Sequence, residues 1–208
     1  MMPAPGLRRF QLLGGRLAVN FVNTVHSPGN FHRLLEDWPS LLAFLEQSEV
    51  ISPRRTSALL SLQQSNPQAA ESLLRRALVL REALRRSFDS LARGEAPDRE
   101  SVEPVNEILR VTEGHDELVL EQRNWRLRFI AREERPEWLL AAIARSAAEI
   151  LTDPAAAALR KCANPACGLF FCDTSRTHRR RWCSMSTCGN RSKVAAFSKR
   201  HPHRHRGR

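Results

Sequence analysis

All five cysteines of this 208-residue chain lie between positions 162 and 188, and four of them are spaced to do metal chemistry. Cys162-Ala-Asn-Pro-Ala-Cys167 and Cys183-Ser-Met-Ser-Thr-Cys188 each separate two thiols by four residues, with fifteen residues between the pairs. Tetrahedral zinc takes four thiolates at about 2.3 Å, delivered two at a time by short turns. Pro165, Gly168 and Gly189 sit where such turns must fold tightly. Four thiolates around Zn²⁺ leave a double negative charge, which Lys161, Arg179, Arg180, Arg181 and Arg191 are placed in sequence to offset. Free buried cysteines or two disulfides are the alternatives, and the spacing favours a structural zinc site on Cys162, Cys167, Cys183 and Cys188. Cys172 is surplus to that count. It reads most simply as a small buried hydrophobe. A nucleophile or redox thiol with His178 as base is the rival, although no orienting group or oxyanion motif accompanies it.

Charge is concentrated on the same end. The chain carries 33 Lys/Arg and 22 Asp/Glu, a net +11. Residues 160–208 hold 13 basic residues and one acid, Asp173, for +12, while residues 1–159 hold 20 arginines and 21 acids, for −1. A near-neutral body with a basic end is the electrostatic footprint of a nucleic-acid binder. The loop 174–181 offers hydroxyls with Arg176, Arg179, Arg180 and Arg181, groups that bind phosphate oxygens. It is short and poor in aromatics, unlike a surface on which single-stranded bases stack. Trp182, beside a cysteine, reads as core. Residues 190–200 read as a helix with Val194 and Phe197 on an apolar edge and Arg191, Lys193, Lys199 and Arg200 projecting elsewhere. Such a helix either reads base edges in a major groove or lies along the phosphates. Residues 201–208 form a basic, histidine-bearing tail.

The elements that must position these groups are mostly helical: the expected fold class is α+β, predominantly helical. Leu17, Phe21, Val22 and Val25 share one face of a helix that ends near 26–30. Asn20 and Asn23 punctuate it, and each is either a satisfied core amide or a ligand contact. Asp37, Ser52-Pro53, Asn66-Pro67 and Asp98 or Ser101 are start signals for four further helices, the third being the longest, with a stripe from Leu73 to Leu91. Gly114 closes the last of these. Residues 118–123 and 125–131 read as two strands with Asn124 as turn residue, a hairpin that must pack on the helices because alone it is marginal in water. A helix restarts at Pro136-Glu137 and breaks at Asp153-Pro154. Residues 169–173 suggest a short strand, with Phe170 and Phe171 as the apolar core of the metal module. No linker separates module from body, so contact between them is expected.

With 42% hydrophobic and 26% charged residues the chain reads as globular. Only Lys161, Lys193 and Lys199 are lysines, an arginine bias typical of a GC-rich bacterial genome. No apolar run approaches the ~18 residues of a membrane span, and Gly14, Gly15, Arg16 and Asn20 interrupt any signal-peptide core. Clustered metal-spaced cysteines without an export signal place the protein in a reducing cytoplasm.

The run CANPACGLFFCDTSRTHRRRWCSMSTCGNRSKVAAF resembles the CGNR zinc finger, named for residues 188–191. That resemblance implies zinc on the four matched cysteines and a finger proposed to contact DNA. GGRLAVNFVNTVHS followed by LEDWPSLLAFLEQSEVIS resembles the ABATE domain, which usually precedes such a finger. Together they imply a body over 1–158 that acts as a sensor or interaction part, a finger over 159–200 and a tail over 201–208. The expected protein is a non-enzymatic DNA-binding transcription regulator with DNA and a small-molecule effector as partners and no membrane association. An RNA-binding or protein-interaction zinc module is the alternative. A homodimer is common among such proteins, and no heptad motif commits this chain to one.

Overall fold

A computed structural model describes residues 10–25, 34–121, 124–132 and 137–200. The expected lead-in over 1–9, the end of the first helix beyond Val25 and the tail over 201–208 lie outside the described residues. Eight α-helices and two two-stranded antiparallel sheets are described, as the α+β, mostly helical reading requires.

The helix starts are set by side chains. Asp37 caps α2 (Trp38–Gln47) by accepting from the Ser40 amide at 2.8 Å, and Ser40 returns the bond to the Asp37 amide at 3.0 Å. Asn66 caps α4 (Pro67–Ala92), Asp98 caps α5 (Arg99–Val111), and Asp153 caps α7 (Pro154–Ala157). Each cap satisfies one of the orphan amides of the first helical turn. Proline follows at the first position of α3 (Pro53–Ser65), α4 and α7, where its missing N–H costs nothing.

The 26-residue α4 is the axis of the body. Its buried stripe of Leu73, Ala77, Leu80, Leu84 and Phe88 meets α1 (Leu17–Val22), α2, α3 and α5. Phe44 stacks edge-on against Phe10 at 5.5 Å and lies 5.6 Å from Phe21, so α1, α2 and the segment before α1 share one aromatic centre. Gln47 fixes Phe10 by bonding both its amide and its carbonyl. The fifteen-residue α6 (Trp138–Thr152) closes the core with Leu139, Leu140, Ile143, Ala147 and Ile150.

The hairpin differs from the expectation in two ways. Strands β1 (Gly114–Glu121) and β2 (Asn124–Ala131) pair from Gly114↔Ala131 to Glu121↔Asn124. Gly114 therefore opens a strand instead of closing α5, and Asn124 is a strand residue paired with Glu121. The base of the hairpin packs on α6, where the Arg145 guanidinium lies 4.3 Å from the Phe129 ring centre and bonds Asp116 at 2.9 Å. Beyond that base, Leu118, Leu120, Trp125 and Leu127 are exposed.

The last sheet joins β3 (Leu159–Lys161) to β4 (Phe170–Cys172), with Leu159 opposite Cys172 and Lys161 opposite Phe170. A strand at 159–161 was not expected; three residues are too few to show a period. β4 is fully buried, and its alternating side chains enter different cores. Phe170 and Cys172 belong to the body core, whereas Phe171 packs with the four paired cysteines. Phe170 is therefore not core for the metal module alone: its ring lies 6.1 Å from that of Phe88 on α4.

Truncating Phe170 to alanine should destabilise the helical body by about 3–5 kcal/mol, the usual range for a buried phenylalanine. Urea titration read by far-ultraviolet circular dichroism checks this; a loss below about 1 kcal/mol would place the residue outside the shared core.

Candidate metal centre and its basic collar

The first cysteine turn hangs from the β3–β4 ribbon. The Cys162 amide donates to the Leu169 carbonyl at 2.8 Å, and the Cys167 amide to the Asn164 carbonyl at 2.9 Å. The Asn164 side chain stiffens this turn by accepting from the Ala166 amide at 3.1 Å, and its Nδ2 points at Cys188 Sγ at 3.5 Å. Gly168, with φ of 67°, supplies the left-handed backbone that returns the chain to β4. The second turn is a π-helical turn, Met185–Gly189, which runs directly into α8 (Asn190–Arg200). A side chain at Gly189 would collide with Met185 Sδ. The Ala163 amide donates to the Arg181 carbonyl at 2.8 Å and ties the two turns together.

These turns bring together four buried sulfurs, those of Cys162, Cys167, Cys183 and Cys188, all within 4.8 Å of one another. Cys167 Sγ lies 3.5 Å from Cys183 Sγ, which lies 3.7 Å from Cys188 Sγ. A zinc tetrahedron with ~2.3 Å bonds has edges of ~3.8 Å, so the donor set fits the ion. Disulfides would need ~2.05 Å, and all five cysteines are free. The Cys183 amide also points at Cys162 Sγ, 3.4 Å away, the kind of contact that stabilises a thiolate. The protons are unevenly held. A hydrogen bond from Cys183 lowers the Cys167 thiol to about 5. That same bond, then burial, pushes Cys183 up, and burial pushes Cys162 up. A cluster this tight cannot ionise fully without a cation at its centre.

The cluster is not an appendage. Asn23, at the end of α1, donates from Nδ2 to the Phe170 carbonyl at 2.8 Å and accepts the Phe170 amide on Oδ1 at 2.9 Å, both bonds buried. The Cys172 amide donates to the Gly14 carbonyl at 2.8 Å. Asn20 in turn holds the Gly14 amide at 2.7 Å, and a side chain at Gly14 would run into Val19. Leu13 packs on the cysteine cluster itself. Asn20 and Asn23 are thus satisfied amides whose bonds run to the main chain, one bracing the strand-side loop and the other the finger strand. An ion pair between Lys161 and Asp89 of α4 closes the joint on the other side.

Of the candidate nucleic-acid contacts, Arg176, Arg179, Arg181, Arg191, Lys193 and Arg200 are exposed. Lys199 is placed on α8 by its backbone alone. Arg180 is half-buried and used internally: Nε donates to the Trp182 carbonyl at 2.9 Å, a second nitrogen bonds the Cys183 carbonyl, and the guanidinium lies 4.5 Å from the Phe171 ring centre. Trp182 is itself half-buried against the cluster, with Arg181 over its ring at 5.3 Å. On α8, Val194 and Phe197 are both exposed.

A residue that sequence reading passed over organises the loop. Asp173, buried, accepts from the Ser175 hydroxyl at 2.6 Å, the Ser175 amide at 3.1 Å and the Arg180 amide at 2.9 Å. The Ser175 hydroxyl, the two amides and the nearby Arg160 guanidinium hold its carboxyl below the usual range. The one signal available was its being the sole acid among thirteen cations. His178 sits on this loop with Nδ1 3.0 Å from the Asp173 carbonyl. Cys172 faces the body core beside Gly15, and burial raises its thiol pKa, which disfavours the thiolate a nucleophile needs.

Two family models match the chain. The ABATE model, described as "putative stress-induced transcription regulator", matches residues 15–154. The CGNR zinc finger model matches residues 158–201. No curated protein matches the chain.

Replacing Asn23 with alanine strands a buried amide and carbonyl, at about 1–3 kcal/mol for such a group. Zinc affinity should fall about tenfold, because the strand that carries the first cysteine turn is loosened. Competition with a chromogenic chelator measures it; unchanged affinity would mean that the joint and the metal are independent. Acid should release the metal too. Cys162 and Cys183 are protonated at neutral pH without metal and must lose those protons to bind it. Affinity should therefore fall throughout the range below those raised pKa values as the pH is lowered, about tenfold per pH unit for each proton displaced. A slope of zero would mean that the metal is held by other groups.

Proposed function

The chain belongs to the ABATE family and carries a zinc-binding CGNR finger, and from that premise we propose that it is a transcription regulator whose finger contacts duplex DNA and whose body senses a ligand or partner. Zinc is held by Cys162, Cys167, Cys183 and Cys188 and its role is structural: it fixes the two turns from which the basic loop and α8 project. The division proposed is body 1–158, finger 159–200 and basic tail 201–208, in a cytoplasmic protein whose chemistry is not enzymatic. Among the described residues no helix is long and apolar enough to cross a membrane.

The observation that carries the DNA reading is the one-sided charge of the finger. Arg176, Arg179 and Arg181 are exposed on the loop and Arg191, Lys193 and Arg200 on α8, while the one acid of the module, Asp173, is buried. Guanidinium groups without exposed carboxylates among them attract phosphate oxygens. The described side chains of helix α8 are exposed except for half-buried Ser192, and the helix contacts the π-helical turn behind it, which leaves it able to enter a groove. Arg191 and Lys193, in its first turn, are assigned to base edges, and Arg176, Arg179 and Arg181 to the backbone. For the effector, the body has a cleft of about 390 Å³ between α5, the hairpin base and α6, lined by Leu109, Phe129, Ala141, Arg132 and Arg145 among others. That cleft is the better candidate, since the amides of Asn20 and Asn23 are engaged in the joint.

Titrating the zinc-loaded full chain into duplex DNA should give a steep salt dependence, a log–log slope of about −4 to −6 for five or six phosphate contacts. Replacing Arg176, Arg179 and Arg181 together with alanine should flatten that slope by about 2–3 and weaken all sequences alike. Arg191→Ala should cost about 1–3 kcal/mol on the preferred sequence only. Absence of duplex binding with retained binding to structured RNA would replace this reading with the RNA-binding alternative.

A further inference from the structure

The hairpin presents a feature that zinc and DNA leave unused. In its register Leu118 faces Leu127 and Leu120 faces Trp125, so the four side chains share one face of the ribbon. They are 57–67% exposed. On the opposite face Glu117 is exposed, with its carboxylate 3.5 Å from His115 Nε2. A two-stranded ribbon with one bare apolar face is marginal in water and is stabilised by covering that face. We propose that this face is a dimerisation surface, covered by the same face of a second copy of the chain across a two-fold axis.

Area favours that occupant. The four side chains expose roughly 450 Å², at the size where patches on monomers become functional. Two such faces remove about 900 Å², and the residues around them bring the contact to the ~1,000 Å² of a specific interface. A two-fold contact also needs nothing but this patch, since an isologous interface matches a surface to itself. The chain's other segments offer little to cover it. Residues 201–208 contain no large apolar side chain, 26–33 contain one, Phe31, and 1–9 contain Met1, Met2 and Leu7. Charge does not favour nucleic acid there: residues 114–131 hold three acids, Asp116, Glu117 and Glu121 of β1, and three arginines, so the ribbon has no net positive charge. Like strands meeting edge to edge would set these acids against each other, which favours face-to-face packing. On the regulator reading a dimer also presents two fingers to one duplex, and its affinity then depends on half-site spacing. The surface itself does not rest on that reading.

The test uses the zinc-loaded full chain without DNA. Sedimentation equilibrium should give a dimer at tens of micromolar that dissociates on dilution. Amide exchange in β1 and β2 should slow with rising concentration. Leu118→Glu with Leu127→Glu should be monomeric, with at least a hundredfold weaker association. Its circular dichroism and zinc content should be unchanged, because neither side chain enters the body core. Glu117→Gln, on the other face, should dimerise as the parent does. A wild-type chain that stays monomeric overturns the proposal, as does a dimer that persists in the double variant or whose protection maps elsewhere. So does a monomer whose hairpin becomes protected only on phosphatidylglycerol vesicles.

Discussion

Three residues of one strand hold two cores at once. In β4 the side chains of Phe170 and Cys172 point into the helical body while Phe171 between them points at the cysteine cluster. That arrangement follows from the pleat, which sends successive side chains to opposite faces. Its consequence is energetic. A structural zinc contributes about 10–16 kcal/mol to folding at neutral pH, comparable to the whole stability of an ordinary domain at about 5–15 kcal/mol. Here that contribution is not confined to the finger. The strand the metal braces is bonded along its backbone to Asn23 and Gly14 and fills the space beside Phe88. Losing the metal loosens a wall of the body.

Electrostatics imposes the second constraint on the same few residues. Four thiolates with one Zn²⁺ are negative, so cations are favoured close by, yet a basic loop repels itself unless something orders it. Two groups resolve the conflict from inside. Asp173 collects the Ser175 hydroxyl and two loop amides about one buried carboxylate. Arg180 turns inward onto the carbonyls of Trp182 and Cys183 and the face of Phe171. With those two charges spent on structure, the remaining arginines of the loop point outward from a rigid base. Pre-ordering of this kind reduces the entropy lost when such side chains engage a ligand.

Much of this was legible in the chain because it is local. Cysteine spacing, the Asp and Asn caps, the proline at helix starts and the stripe along α4 are patterns over a few residues, and all describe the structure. What was not legible depends on distant partners. Asn23 and Phe170 are 147 residues apart, and nothing near Asn23 reveals that its amide is shaped for a strand edge. The strand at Phe170–Cys172 was visible, but a period of two cannot say which face meets which core. Arg180 looked like Arg179 and Arg181, since position in a basic run carries no information about where a guanidinium folds back. The hairpin's apolar residues were read as packed because apolar alternation ordinarily is; which of them the helices cover is a property of the assembled body.

The joint also decides how the body can influence the finger. A ligand can shift an equilibrium only through an element with two arrangements that it binds differently. Between α1 and β4 the contact is a reciprocal amide pair and a strand-like bond to Gly14, both buried and directional. Such bonds do not slide. Any effector that displaces α1 must either carry β4 with it or break the Asn23 pair, and breaking it strands two buried polar groups. Small displacements of the body are therefore passed to the strand from which the first cysteine turn hangs. The cleft between α5, the hairpin base and α6 is well placed for this, because α6 packs directly on α1. On the proposed regulator reading, a displacement started there would reach the metal turns through α1 and β4, which lie within the segments matched by the two family models.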